Sequence, residues 1–183
     1  MIIFGIFLQM LKKEFISRLM HERDRFELLL NRAGYARRMT LKGVAGRRSI
    51  KDMLALVLAH EQFLADRMAE IANRETYTPS RTQTALDAFL DEFGYPDFGS
   101  PLLDDESPRE WVVERYKKVS LDDIIAQELQ AFASIISSLE KLPEPVIARH
   151  DLYDRIARHT WLCYREHSHD IKRWLKANGT QVK

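Results

Sequence analysis

The sequence lacks several features that would point to particular classes of protein. Its 183 residues include a single cysteine, so no internal disulfide can form and we expect a protein suited to a reducing cytoplasm. Lysine and arginine number 28 against 27 aspartate and glutamate residues, and without a basic excess we expect no nucleic-acid partner. No segment shows the period-two alternation of strands, and no internal repeat is present. These absences favour an all-α domain.

The beginning of the chain is apolar but does not fit a targeting or membrane segment. MIIFGIFLQM is followed by Lys12 and Lys13, whereas a secretory signal carries its positive charge before the apolar run. The run is shorter than the roughly 20 residues that span a bilayer, so we expect no membrane partner. Residues 1–9 are interpreted as an apolar extension of a single domain at 10–183. This extension either adds helical turns that dock on the domain or on a second subunit, or reflects an upstream start codon before Met10.

Four long segments have apolar residues at helical spacing and recognisable ends. Gly34 is a plausible C-cap of the first, Ser49 with Asp52 forms a capping-box-like start of the second, and Ser120 begins the third. The fourth contains neither proline nor glycine. The predicted helices cover 9–33, 50–73, 121–141 and 151–176.

A long crossover separates the second and third of these helices. It spans 74–119 and has short helices predicted at 84–93 and from Pro108 to Lys118. A connection of this length is expected when two consecutive helices of a bundle run parallel, because the chain must travel back along the bundle. The sequence therefore predicts an up-down-down-up four-helix bundle with a long crossover between its second and third helices.

Each predicted helix carries an acidic or reactive residue near the middle of its apolar stripe. Carboxylates are almost never buried without a partner, so groups at one depth can serve one another, a metal or a substrate. A purely structural interpretation is equally open, because long glutamates reach solvent, a cysteine fills core space, and a histidine can bond to one carboxylate. The residues are Glu22, Glu61, Glu128, Cys163 and His167.

The histidines and the cysteine raise the question of a metal. The two Glu-x-x-His motifs of ferritin-like di-iron proteins are absent. Three ligands from two helices would suit a catalytic zinc or nickel-type centre, and His60, Cys163 and His167 could supply them, with His159 one turn before Cys163. The remaining histidines fall off the stripes and are expected to be solvated: His21, His150 and His169.

Two segments of the chain resemble a known family. SIKDMLALVLAHE and CYREHSHDIKRWL are similar to the signature segments of the DinB/YfiT-like four-helix bundles, and within them to the ClbS/DfsB-type branch. The resemblance extends over nearly the whole chain from about Met10. Metal-binding members carry one histidine on the second helix and a His-x-x-x-His pair on the fourth. His167 matches the last ligand, Cys163 replaces the one before it, and Leu56 occupies the position of the first, so the resemblance implies no tightly bound metal cofactor.

The resemblance implies two alternative functions. The first is a transferase or hydrolase that acts on electrophilic or toxic small molecules at a central polar site. In it Glu61 or Glu128 is the general base, while His60 and His167 orient water or bind a divalent metal. The second is a non-catalytic bundle that binds a small ligand or a protein partner. Because DinB-like proteins are often dimeric, we also expect a homodimer.

Overall fold

The computed structural model describes residues 2–34, 38–73 and 106–178, with side chains described from Leu11 onward. Within these ranges every regular element is helical, and an isolated bridge between Ala45 and Arg48 is the single strand-like pairing. The all-α prediction is therefore confirmed for the described residues, none of whose helices is both long and apolar enough to cross a membrane. The elements are α1 (Ile2–Ala33), α2 (Ile50–Asn73), α3 (Glu106–Tyr116), α4 (Leu121–Lys141), α5 (Glu144–Arg149), α6 (Leu152–Ala157), a π-helical segment (Arg158–Leu162) and α7 (Cys163–Ala177).

The predicted helix ends coincide with local capping interactions. Gly34 follows α1 with a φ of 84°, a conformation that glycine adopts at little cost. At the start of α2, Asp52 N donates to Ser49 Oγ at 3.2 Å and Ser49 N donates to Asp52 Oδ2 at 2.6 Å. Ser120 Oγ accepts from Asp123 N at 3.0 Å before α4. Each cap satisfies backbone groups that a helix end leaves without partners.

Other boundaries differ from the sequence-based prediction. Helix α1 begins at Ile2 rather than at residue 9, so the apolar extension supplies its first turns. Helix α3 begins two residues before Pro108 and ends at Tyr116. The helix predicted at 84–93 lies outside the described residues. Helix α5 was not predicted, and its prolines fit because the first turn of a helix needs no backbone N–H donors.

The C-terminal helix is continuous but not uniform. Helix α6, the π-helical segment and α7 follow one another without a break, and the hydroxyl of Thr160 donates to the carbonyl of Ile156. A π turn closes i→i+5 hydrogen bonds and so shifts the face that the following residues present. His159, Thr160 and Trp161 are consequently all buried, although they are consecutive in the sequence.

Helix α2 is enclosed on all sides. Every residue from Asp52 to Ala65 is buried, because α4, α3, the π-helical segment and α7 all contact this helix. The cover by α3 includes a hydrogen bond from the Tyr116 hydroxyl to Gln62 Oε1 at 3.3 Å. Polar side chains in the middle of α2 must therefore find their partners inside the protein.

Helix α1 packs against the C-terminal helix through aromatic side chains. The ring centroid of Phe15 lies 4.5 Å from that of Tyr153, and Phe26 stacks on Tyr164 with centroids 5.1 Å apart. Elsewhere on α1, Lys12 Nζ donates to the carbonyl of Leu142 at 2.7 Å, just beyond the end of α4. Leu11 is 40% exposed, whereas Leu19, Phe26 and Leu29 are buried, so the inward stripe of α1 begins after its first turns.

Candidate functional site

A cluster of ionisable side chains is buried where α1, α2, α4 and α7 meet. We call Arg23, Glu61, Glu128 and Tyr164 the carboxylate cluster. The Tyr164 hydroxyl donates to Glu61 Oε1, and Arg23 Nη2 donates to Glu128 Oε2. Arg23 Nη1 donates to Glu27 Oε2 at 3.2 Å, so one guanidinium contacts two carboxylates. This geometry brings together two of the predicted catalytic residues, Glu61 and Glu128.

Burial shifts the acids of this cluster towards their neutral forms. Desolvation raises the pKa of Glu61 well above its ordinary value and the charge of Glu128 adds to the effect, while the Tyr164 hydrogen bond and Arg23 act in the opposite direction. Desolvation also raises the pKa of Glu128, against the opposing charge of Arg23. Glu61 Oε2 is buried without a hydrogen-bond partner. A charged carboxylate with an unpaired buried oxygen is costly, which also favours the neutral acid. Burial thus favours the neutral form of both acids, while Arg23 favours their charged forms.

A cavity of about 200 Å³ opens beside the carboxylate cluster, between α1, α4 and the start of α2. Arg23 and Glu128 form part of its wall, and Glu27 and Asn31 add further polar groups. Glu61, Tyr164 and His167 do not line it, so contact with a ligand there falls to Arg23 and Glu128. Its apolar lining comes from Phe26, Leu30, Met39, Leu54, Ile125 and Leu129.

A second buried group, the imidazole cluster, consists of His60, His159 and His167. The Nδ1 atoms of His60 and His159 lie 3.1 Å apart, which requires that one ring donates and the other accepts. Phe63 packs on His159 with ring centroids 5.3 Å apart. His167 Nε2 is buried without a hydrogen-bond partner. Two of the three rings therefore pair with each other, and the third has an unmet polar atom.

The imidazole rings are held neutral by their surroundings. Desolvation, followed by the charges of Arg155 and Arg158, lowers the pKa of His159 to about 4. Desolvation and Arg109 lower the pKa of His167 to about 4, and desolvation places the pKa of His60 well below its usual value. At neutral pH all three rings are uncharged and available as bases or hydrogen-bond partners.

The suggested metal ligands do not come together. Among the residues that the structure describes, no three His, Cys, Asp or Glu side chains form a group that could hold a metal ion. His60 faces His159 rather than joining Cys163 and His167 in a ligand set. Desolvation also raises the pKa of the Cys163 thiol, which disfavours the thiolate that binds metals. Leu56, at the position of the first family ligand, is a core residue with 1% exposure.

Glu22 belongs to a different environment from Glu61 and Glu128. Its carboxylate accepts hydrogen bonds from Arg165, which is the main reason that its pKa is lowered rather than raised. Glu22 is itself buried; it joins α1 to α7 through the half-exposed Arg165 and is not part of the carboxylate cluster.

The histidines predicted to be solvated are only partly so: His21 and His169 are exposed, and His150 is half-buried.

Two members of the carboxylate cluster were missed by sequence reasoning. Tyr164 could have been found, because it shares a helical stripe with His167, Ile171 and Leu175, all of which are buried. Arg23 could not have been found from the sequence, because an arginine next to Glu22 is usually on the surface. Its partner Glu128 lies on α4, far away in the sequence. The two missed residues are the hydrogen-bond donors to the predicted acids: Tyr164 donates to Glu61, and Arg23 donates to Glu128.

The sequence matches no family model, and no curated protein or solved structure matches it. The meaning of the cavity and of the two clusters therefore depends on the residues of this chain.

Proposed function

We propose that this chain is a DinB-like protein that binds a small molecule in the cavity beside Arg23 and Glu128 and acts on it as a transferase or hydrolase. The substrates are electrophilic or toxic compounds, and the compartment is a reducing cytoplasm. The observation that carries the proposal is the cavity itself, because a concave, mostly apolar space with a few convergent polar groups and perturbed acids is the usual form of a small-molecule site.

The proposal includes the up-down-down-up arrangement of a four-helix bundle. The contacts Phe15–Tyr153 and Phe26–Tyr164 support α1 and the C-terminal helix running side by side in one direction. Contacts of Lys12 with the Leu142 carbonyl and of Arg23 with Glu128 support α4 running opposite to α1. Helices α2 and α4 are then parallel neighbours, which fits the extensive contact between them and the long connection that joins them.

The cavity residues suggest specific roles. Glu128, whose pKa is raised by desolvation, takes a proton from a water or thiol nucleophile in the cavity. Arg23, on the same wall, stabilises the negative charge that develops on the electrophile. Glu61 lies behind the cavity wall and adjusts the protonation of Glu128 through its charge. His167 acts from the imidazole cluster by positioning water rather than by direct contact.

Turnover of simple electrophiles tests this function. The purified protein is incubated with p-nitrophenyl acetate, with styrene oxide, and with 1-chloro-2,4-dinitrobenzene plus a thiol, each with and without added zinc or nickel. We expect turnover of at least one compound and its loss in Glu128→Gln by about 10²-fold or more, the usual contribution of a general base. Glu140→Gln, on the exposed side of the same helix, is the matched control. Equal rates in the wild type and Glu128→Gln contradict the assignment.

A non-catalytic ligand-binding bundle is the second candidate. The enclosure of the reactive groups favours it, because Glu61 is 0% exposed and Cys163 is a buried thiol whose pKa burial raises. In this case compounds bind in the cavity with measurable affinity, but none is consumed. Binding without turnover across all three electrophile classes selects this candidate over the enzyme.

We also propose a homodimer in which the apolar first turns of α1 are covered. Residues 2–9 continue the helix, and their sequence is almost wholly apolar, which favours burial against a second subunit. Light scattering of the full chain should give twice the monomer mass, and deletion of residues 1–9 should weaken the dimer. A monomer before and after the deletion rules this assembly out.

A further inference from the structure

The charges that line the cavity do not balance. Among the residues that the structure describes, its ionisable lining consists of the guanidinium of Arg23 and the carboxylates of Glu27 and Glu128. Arg23 donates to both carboxylates through Nη1 and Nη2, while its Nε is buried without a hydrogen-bond partner. One positive charge facing two negative charges leaves the lining with a net negative charge when both acids are ionised.

This arrangement disfavours an anionic ligand. A carboxylate or phosphate would place three negative charges around one guanidinium. Like charges in a partly desolvated site repel strongly, because the effective dielectric constant is far below that of water. A ligand that carries one positive charge instead completes the balance.

The position of the two carboxylates defines where the positive charge sits. The Glu128 side chain is 5% exposed and lies inside the cavity, while that of Glu27 is 57% exposed and lies at its opening. Because Arg23 lies between the two carboxylates, a cationic head would contact them from the cavity side and keep part of its hydration. The aromatic ring of Phe26 also lines the cavity and attracts cations through its π face.

The rest of the lining fits an apolar body of limited size. Leu30, Leu54 and Ile125 contribute aliphatic surface to a volume of about 200 Å³. An engineered apolar cavity of roughly 150 Å³ accepts benzene, so this space holds about one ring with a short chain.

We propose that the cavity selects small amphipathic amines, with the ammonium group on the cavity side of the Glu27 and Glu128 carboxylates and a ring-sized apolar body against Leu54 and Ile125. This inference rests on the proposed function, since it names the chemical class of the molecule that binds there. The same charge pattern requires that an electrophilic substrate also carries a basic nitrogen.

Three probes of nearly equal size separate charge from shape. They are 2-phenylethylamine, neutral 2-phenylethanol and anionic 3-phenylpropanoate, titrated at neutral pH by calorimetry and by protein NMR. We expect the amine to bind at least 10-fold more tightly than the alcohol, and the carboxylate to cause no shifts at residues of the cavity.

Variants locate the effect. Glu27→Gln, at the exposed opening, should lower amine affinity several-fold and leave alcohol affinity unchanged. Glu128→Gln should remove the preference for the amine. Leu129→Trp, at a position 49% exposed beside the cavity, should block all binding. Glu140→Gln is the matched control for a lost carboxylate outside the cavity and should bind all probes as the wild type does.

The outcomes distinguish this inference from the proposed function. Equal affinity for amine and alcohol, or a preference for the carboxylate, overturns amine selection but leaves a ligand-binding cavity in place. Absence of NMR shifts at cavity residues with every probe overturns both. Unchanged amine affinity in a folded Glu27→Gln and a folded Glu128→Gln also overturns the inference, because the carboxylates then contribute nothing to recognition.

Discussion

His60 and Glu61 are neighbours in α2, yet they belong to two differently built polar clusters. The imidazole cluster contains no formal charge: its rings are neutral, and two of them pair with each other. The carboxylate cluster contains an ion pair, Arg23 with Glu128, and it borders a cavity. Adjacent residues on one helix thus enter environments that differ in charge and in access to a ligand.

One physical cause acts on both clusters with opposite signs. Desolvation penalises the charged form of any group, so it raises the pKa of Glu61 and lowers the pKa of His60. What differs is the effect of nearby arginines: Arg23 opposes the effect of desolvation on the pKa of Glu128, whereas Arg155 and Arg109 add to the effect of desolvation on the pKa values of His159 and His167. The comparison teaches that burial by itself produces neutral groups, and that an added counter-charge makes one cluster suited to ligand chemistry.

Removal of the counter-charge should have the largest effect. Arg23→Met leaves Glu128 buried without its ion-pair partner, and loss of one member of a buried pair costs about 3–5 kcal/mol of the free energy of unfolding. Urea unfolding measures it, with Arg25→Met, 59% exposed on the same helix, as the control. If Arg23→Met lowers the free energy of unfolding by less than about 1 kcal/mol, Glu128 is neutral in the folded protein and the carboxylate cluster, like the imidazole cluster, contains no charged acid.

The pH dependence of stability should reveal the imidazole cluster. Because the pKa of His167 is lowered to about 4 in the folded protein, the unfolded chain takes up its proton first as the pH falls below about 6.5. Stability is therefore greatest above pH 6.5 and is lost as the pH falls towards 4, by about 3 kcal/mol for this ring.

Comparison with His167→Gln isolates that contribution. Wild type should lose about 3 kcal/mol more than this variant between pH 7 and pH 4 in urea unfolding. His169→Gln, an exposed histidine on the same helix, is the control. The raised pKa values of Glu61 and Glu128 have the opposite effect and favour the folded state at low pH. Both proteins contain these two acids, so their contributions cancel when the wild type is compared with His167→Gln. Parallel profiles for wild type and His167→Gln would contradict a neutral buried ring.

A double-mutant cycle should show how the carboxylate cluster is satisfied. Glu61→Leu leaves the Tyr164 hydroxyl buried without an acceptor, which costs about 1–3 kcal/mol. Adding Tyr164→Phe removes the stranded group, so the double variant should recover most of that loss. Thermal melts of the four proteins measure the coupling. Strict additivity would mean that the hydrogen bond between Tyr164 and Glu61 does not contribute.

The smallest response should come from Cys163. Burial raises the pKa of this thiol, and the thiolate is the reactive form. Native protein at pH 8 should therefore remain unlabelled by iodoacetamide over an hour, while protein in urea is labelled fully. Mass spectrometry reads both states. Rapid labelling of native protein would place an accessible reactive thiol beside His167 and blur the distinction between the clusters.

Part of this organisation can be predicted from sequence. Periodicity identified Glu61, Glu128 and His167 as inward-facing, because apolar residues three and four positions away fix the buried face of a helix. Local chemistry identified the caps at Ser49 and Ser120, since the donor and the acceptor lie within four residues of each other. Both signals are local, and both were confirmed.

The remaining features depend on contacts between distant segments. Arg23 meets Glu128 across 105 positions, and His60 meets His159 across 99, so no local pattern announces either pair. Among the described residues no three possible metal ligands form a group, and His60, one of the suggested ligands, instead pairs with His159. The bundle arrangement and the family membership stay predictions.

The π-helical segment has a consequence for how this chain tolerates changes in length. Its turn accommodates about one residue more than an α-helical turn, so a single-residue deletion there can be absorbed as a return to ordinary helix. Removing the half-exposed Leu162 would return this turn to ordinary helix and leave His159 and Tyr164 on their original faces. The same loss within α7 would instead rotate every residue on one side of it by about 100° relative to the other side. The π turn is therefore the place in the C-terminal helix where the chain can lose one codon and keep both clusters together.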